Sequence, residues 1–228
     1  MPIRANALAV MAKAPMPGTV KTRLVPPLTN AQAAELSHAL LLDQLDHLSA
    51  LNVADLYMAF TPSDAQAVIE SIVPADYRCF PQHGSDLGQR MKEVFAELWR
   101  RGHRNLILIG SDLPPVPLNW FADAFVELSA VERRVVLGPS RDGGYYLIGM
   151  NQSVPEIFSG MTWSHERVLA ETTRKLTALG INFIMLPEWF DIDTIQDIDQ
   201  LRTICDPSTR ASMKRTRACL KGIVGFNA

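Results

Sequence analysis

Cysteine is scarce in this chain and no charge of one sign dominates it. Cys79, Cys205 and Cys219 are its 3 cysteines, and without C-x-x-C spacing they make neither a disulfide framework nor a zinc site. Buried thiols in a reducing compartment are the expectation. Lysine and arginine number 22 against 24 aspartates and glutamates, a net charge of −2, so no basic field exists for nucleic acid or for a membrane surface. No apolar run approaches membrane-spanning length, and the short one ending at Lys13 is too brief for a signal peptide. A cytoplasmic protein with no nucleic-acid partner and no membrane insertion is therefore expected. Internal repeats, linkers and low-complexity segments are missing too.

What is present is enough apolar material for one large α/β domain, 47% hydrophobic residues in 228. Strands and helices alternate along the chain. Leu8 to Met11, Leu56 to Phe60 and Leu106 to Ile109 are short continuous apolar runs, the mark of strands buried on both faces. Arg78 to Pro81, Val135 to Leu137 and Phe183 to Leu186 add further strands, and Tyr145 to Gly149 pairs with its predecessor across a glycine turn as an antiparallel element. Between them run helices. Thr29 and Gln32 form a capping box ahead of Leu41, Leu45 and Leu48. A short helix is expected over Ala65 to Ile72. Ser85 or Asp86 caps a helix whose inner face is Leu87, Met91, Val94, Phe95 and Leu98, and Pro117 opens one carrying Trp120, Phe121, Phe125 and Leu128. Ser164 is expected to cap a helix with Val168, Leu169, Leu176 and Leu179 inward, stopped by Gly180. Thr194 is expected to cap a last one with Ile195, Ile198 and Leu201 inward. The expected fold is a mostly parallel, doubly wound sheet flanked by helices, spanning residues 1–205. A basic helical tail, 206–228, follows with Arg210, Lys214, Arg215, Arg217 and Lys221 on a solvated face.

In such a sheet, ligands bind where the strands end at their carboxyl edge. Two loops meet there. The first, Lys13-Ala14-Pro15-Met16-Pro17-Gly18-Thr19-Val20-Lys21-Thr22-Arg23-Leu24, gathers Lys13, Lys21 and Arg23 on a backbone shaped by prolines and a glycine, a suitable grip for a diphosphate. The second, Gly110-Ser111-Asp112-Leu113-Pro114, sets a carboxylate directly after the clearest strand. Asp191 and Asp193 follow the last strand and reach the same edge. Magnesium or manganese takes one or two carboxylates together with substrate phosphates, so Asp112 with Asp193 or Asp191 is a candidate metal site. Asp142 is a candidate general base, with His165 behind it. Capping and turn roles compete for each of these aspartates.

The motifs at 13–24 and 110–114, together with Gly-Pro-Ser-Arg-Asp-Gly-Gly-Tyr-Tyr-Leu-Ile-Gly at 138–149 and Asp-Ile-Asp-Thr at 191–194, resemble one family. It is the GT-A-like group of radical-SAM/selenodomain-associated transferases, some of them named arsenosugar biosynthesis glycosyltransferases. The resemblance implies the nucleotide-diphospho-sugar transferase fold, shared with guanylyltransferases and sugar-phosphate nucleotidylyltransferases. It also implies nucleotide binding at Lys13, Ala14, Pro17, Gly18, Lys21, Arg23 and Ser111, and metal at Asp112 and Asp193. The sugar or acceptor then lies at Asp142, Gly143 and Gly144, and catalysis falls to Lys21, Arg23, Asp112 and Asp142. Where nucleotide-sugar-forming relatives carry proline and glutamate after the second aspartate, this chain has Ile195 and Gln196, and its first loop is not of their glycine-rich form. Three readings follow: glycosyl transfer from a nucleotide sugar to a small-molecule acceptor; nucleotidyl transfer from a nucleoside triphosphate to a phosphorylated one; and a nucleotide-sugar-binding module without turnover. A homodimer is compatible with each.

Overall fold

The strands predicted from apolar runs assemble into one seven-stranded sheet in the computed structural model, which describes residues 3–204 and 211–223. The strands are β1 (Asn6–Lys13), β2 (Asp55–Thr61), β3 (Tyr77–Pro81), β4 (Asn105–Gly110), β5 (Arg134–Pro139), β6 (Tyr145–Met150) and β7 (Asn182–Met185), in the order β3-β2-β1-β4-β6-β5-β7. β6 runs antiparallel to both of its neighbours, β4 and β5, and the remaining pairings are parallel. The class is therefore mixed and mostly parallel, as expected, with the glycine turn supplying the reversed strand. After β1 the chain builds β2 and β3 on one side, then crosses to place β4 on the other. That reversal opens the crevice between the ends of β1 and β4.

Seven described α-helices accompany the sheet: α1 (Asn30–Leu48), α2 (Gln66–Ile72), α3 (Leu87–Arg100), α4 (Leu118–Ala130), α5 (Val168–Ala178), α6 (Ile195–Ile204) and α7 (Lys214–Gly222). Local chemistry starts several of them. Thr29 and Gln32 form the reciprocal capping box of α1, and the Asp86 carboxylate, rather than Ser85, accepts the Gln89 N–H at 2.8 Å to begin α3. Ser164 does not cap α5. Its backbone is left-handed, φ 65°, and the helix begins only at Val168. The Nδ1 of His165 instead takes the Arg167 N–H at 3.1 Å. Leu179, expected inside, is exposed at the end of that helix, just before Gly180 at φ 64°.

Three apolar clusters hold the layers. Leu8, Val10, Phe60, Ile107, Phe121 and Phe125 belong to the one that packs α4 and the end of α1 on one sheet face. Tyr57, Phe95, Leu98, Leu108 and Leu176 belong to the other face, under α3 and α5. The third joins Leu24, Leu36, Leu40, Ile192, Ile198, Met213 and Leu220, and so ties the first loop, the segment before α6 and the tail helix α7 to α1. α7 is docked rather than solvated along one side. Its Arg215 and Thr216 N–H groups donate to the buried Asp43 carboxylate at 3.1 and 2.8 Å, while the Arg215 guanidinium pairs with Asp43 and Asp46 at 3.4 and 2.6 Å. Of the tail and cysteine expectations, Cys205 and Arg210 lie outside the described residues. Among the described residues, no helix is long and apolar enough to cross a membrane.

Two predictions arise from these contacts. Asp43→Ala leaves the first N–H groups of α7 without their acceptor and should cost about 2 kcal/mol, read as a lower urea midpoint with an unchanged slope. The second concerns pH. Burial lowers the His47 pKa below 6.5, only partly offset by the bond from its Nε2–H to the Val116 carbonyl at 2.8 Å. The unfolded chain then binds more protons, so stability from His47 is present above its ordinary pKa and lost as pH falls through the lowered one. His47→Gln keeps a donor to that carbonyl and should show a smaller drop in thermal midpoint between about pH 7 and 5 than the parent.

Candidate active site

The first loop keeps its shape through short bonds. The Ala14 N–H reaches the Thr61 carbonyl at 2.8 Å, and the Lys13 ammonium donates to the Thr19 carbonyl at 3.2 Å. Pro17 and Gly18 lie exposed at its tip, with Gly18 at φ 78°. Lys21 follows in a left-handed conformation, φ 50°, which costs a non-glycine residue roughly 1 kcal/mol. Strain of this kind persists only where the surroundings fix it. Here Leu24, fully buried in the third cluster, pins the short turn Thr22–Leu24, and the Lys21 side chain is anchored by charge.

That charge is not turned outward. The Lys21 ammonium sits 3.0 Å from Asp112 Oδ1 and 3.1 Å from Asp193 Oδ1, its side chain 1% exposed while the two carboxylates are 43% and 40% exposed. Burial alone would lower its pKa, but the two aspartates outweigh that and hold it above 10.5. Arg23 faces solvent, 65% exposed and 3.6 Å from Asp193 Oδ2. The expected gathering of Asp112, Asp193, Lys21 and Arg23 is thus present, with Lys21 placed between the carboxylates.

Backbone bonds bring the distant segments together. Trp189 N–H donates to Pro139 O at 3.0 Å, Arg141 N–H to Trp189 O at 3.2 Å, and Ile192 N–H to Asp112 O at 3.0 Å. The residues after β7 therefore run along the ends of β5 and β4, and Asp191 and Asp193 flank the buried Ile192 beside the β4 turn. Thr194 and Asp197 start α6 in a reciprocal box, the Asp197 carboxylate accepting from the Asp193 and Thr194 N–H groups at 3.0 and 2.7 Å. This orients Asp193, and a T-x-x-D pattern was its sequence signal. Asp191 accepts the Ser140 hydroxyl at 2.6 Å; burial, with help from the charges of Asp142, Asp193 and Asp112, pushes its carboxyl up to about 7.

The hairpin between β5 and β6 supplies the next wall. Asp142 is exposed, and its Oδ1 accepts the Gly144 N–H at 2.9 Å, a turn role as well as a position at the cavity. Gly143, at φ 86°, has no room for a Cβ, which would lie 2.0 Å from the Glu166 carbonyl oxygen; this glycine lets the hairpin turn press against the loop before α5. A cavity of about 410 Å³ opens between these segments, with Arg23, Asp142, Gly144, His165, Asp191 and Asp193 on its walls. His165 Nε2 lies 2.9 Å from the Thr162 hydroxyl and its Nδ1 holds the Arg167 N–H, so both nitrogens are engaged in the loop. Trp163 also lines the cavity, a residue that its polar neighbours disguised as part of a helix entry. Ser111 is half-buried in the β4 turn beside Asp112.

The Oδ1 atoms of Asp112 and Asp193 both face the Lys21 ammonium, and among the described residues no group of three or more acidic, histidine or cysteine side chains could hold an ion. A divalent ion at this pair would share the carboxylates with Lys21 and take water and substrate oxygens as its other ligands.

Residues 44–165 match the model of a family described as uncharacterized proteins conserved in bacteria, DUF2064. The chain belongs to this family. Its matched region holds Asp112 and the hairpin turn, while the first loop and Asp193 fall outside it. A solved structure from Desulfovibrio desulfuricans G20 spans these as well. It carries the provisional name nucleotide-diphospho-sugar transferase, is 30% identical, and aligns over 96% of this chain and 98% of its own with a TM-score of 0.85. A cytidylyltransferase from Leptospira borgpetersenii aligns over 98% of this chain and 100% of its own at 14% identity and TM-score 0.60. A 4-diphosphocytidyl-2C-methyl-D-erythritol synthase aligns over 90% and 100% at 12% and 0.57. At those identities the last two establish the fold alone, that of the nucleotidyltransferases and GT-A-like enzymes. No curated protein matches the chain.

Replacing Lys21 by methionine removes the cation between two carboxylates and should destabilise the protein by about 1–2 kcal/mol, less than for a fully buried pair because Asp112 and Asp193 reach solvent. Chemical unfolding of Lys21→Met against the parent measures it.

Proposed function

We propose that this protein is a metal-dependent transferase that uses an activated nucleotide, and that its reaction is glycosyl transfer from a nucleotide-diphospho-sugar to a small-molecule acceptor. The observation that carries the reading is the convergence of Asp112 and Asp193 on the Lys21 ammonium at the carboxyl edge, beside Arg23 and the mouth of the cavity. The name of the Desulfovibrio relative supports it, as does the resemblance of the motifs at 13–24 and 138–149 to radical-SAM/selenodomain-associated transferases.

In this reading Asp112 and Asp193 hold magnesium or manganese, which when bound offsets the charge of the diphosphate. Arg23 grips the outer phosphate oxygens, and the exposed loop tip at Pro17 and Gly18 offers backbone for close approach. Lys21 keeps the two carboxylates ionised and aligned before substrate arrives. The acceptor oxygen attacks the anomeric carbon and forms the new C–O bond. The bond from that carbon to the diphosphate breaks, its electron pair leaving with the nucleoside diphosphate toward Arg23, and the acceptor proton passes to a base, for which Asp142 is placed at the cavity wall.

Nucleotidyl transfer is the second reading, favoured by the fold shared with the Leptospira cytidylyltransferase. Thermal unfolding with magnesium or manganese against nucleotide sugars, nucleoside diphosphates and triphosphates separates the two. A ligand at a hundred times its dissociation constant adds about 2.7 kcal/mol. We expect a metal-dependent rise with a nucleotide sugar, lost in Asp112→Asn without loss of fold. A rise confined to a triphosphate selects nucleotidyl transfer, and no rise with any nucleotide rejects both.

A further inference from the structure

The cavity beside the carboxylates has two unlike walls. One is apolar. Trp163 forms it, with Leu87 and Val168 alongside. The indole is set firmly: a Cβ on Gly88 would lie 2.4 Å from its Cζ2 and 2.8 Å from its Nε1, so the ring rests on the bare backbone of the first turn of α3. On another side the Phe158 ring lies 6.4 Å away at 34°. A side chain larger than hydrogen at position 88 would displace the indole. Trp163 is still half-exposed, and it lines the cavity.

The other wall is acidic. Asp142, Glu166 and Asp193 face a space in which Arg23 is the only lysine or arginine among the described lining residues, and Arg23 already leans on Asp193. With Lys21 and the proposed ion engaged by Asp112, Asp193 and the diphosphate, an acceptor carrying its own phosphate would find no second lysine or arginine on the cavity wall, whereas hydroxyl groups can donate to the carboxylates while the C–H face of a ring lies on the indole. The volume suits a ring of monosaccharide size with its substituents.

We propose that this cavity is the acceptor subsite and that it selects a hydroxylated ring bearing no anionic group, stacked on Trp163. The assignment of the cavity to an acceptor rests on the transferase reading above; the selection against anions and the indole platform rest on the cavity itself.

The test uses the full chain and three probes that share one ring: methyl glucoside, glucosamine and glucose 6-phosphate, titrated by saturation-transfer NMR at constant ionic strength. The first two should bind, and glucose 6-phosphate should bind about tenfold more weakly or worse, as a phosphate of charge about −1.5 to −2 among carboxylates requires. Trp163→Ala should abolish binding of all three, and Gly88→Ala should weaken it by moving the indole. Glu166 is exposed, so Glu166→Lys keeps the fold and should bring glucose 6-phosphate level with methyl glucoside, which tests the charge argument even if a Trp163 variant does not fold. Binding of glucose 6-phosphate as tight as the neutral sugar, binding of none of the probes, or binding indifferent to the folded Trp163 and Gly88 variants overturns the proposal. If the probes bind as expected but no nucleotide raises the unfolding midpoint, the transferase reading falls and a sugar-binding cavity stands. If a nucleotide raises it and the probes fail, only the acceptor assignment falls.

Discussion

One ammonium group between two carboxylates organises this edge of the molecule. Without Lys21, Asp112 and Asp193 would face each other across a few Å with nothing to offset their repulsion; with it, both stay ionised and fixed in direction. The arrangement joins three parts of the chain that are remote in sequence. It also explains why a lysine tolerates a left-handed backbone, because the strain of a single residue is small beside the ion pairs and the burial of Leu24 that hold it. Preorganisation of this kind means that the carboxylates need not rearrange when a ligand arrives, which is where much of the advantage of an enzyme site over water resides.

Local rules made much of this legible in advance. The buried strands were written as continuous apolar runs, the capping box at Thr29 and the cap at Thr194 as short local patterns, and the reversed strand β6 as a glycine turn between two apolar segments. The meeting of Asp112 with the segment around Asp193 was also accessible, since a parallel sheet delivers its loops to one edge. What local rules could not supply was the register. Lys21 reads as an outward cation until the Ile192 to Asp112 backbone bond places a carboxylate on each side of it. Ser164 misled for the opposite reason: a good capping residue stood before a helical pattern, but the loop needed a left-handed turn there, and His165 took over the bond to the backbone. Trp163 gave no signal of its own, because its position over Gly88 depends on two elements that are far apart in sequence.

The third apolar cluster shows how a site is supported from outside. Leu24 and Ile192 carry the neighbours of the charged residues, and both are buried against α1 together with Met213 and Leu220 from the tail. The Asp43 carboxylate fastens that tail by its first N–H groups. Side chains that never approach the cavity thus limit how far Lys21 and Asp193 can drift, in the way that a supporting layer fixes the geometry of a functional cluster.

The hairpin turn from Ser140 to Gly144 differs from every other loop at this edge. It joins strands that are already adjacent and antiparallel, so its length is not set by a helix that must cross the sheet. Loop closure alone would make such a turn cheap to lengthen, but here Ser140 bonds Asp191, Arg141 bonds Trp189 and Gly143 presses on Glu166, so an insertion would have to carry the loop before α5 and the segment after β7 with it. The first loop and the Asp112 turn are locked in their turn through Lys21. The two sides of the crevice are therefore joined mechanically through Asp191 and Asp193, which flank one buried residue, and a change of length on either side is felt on the other.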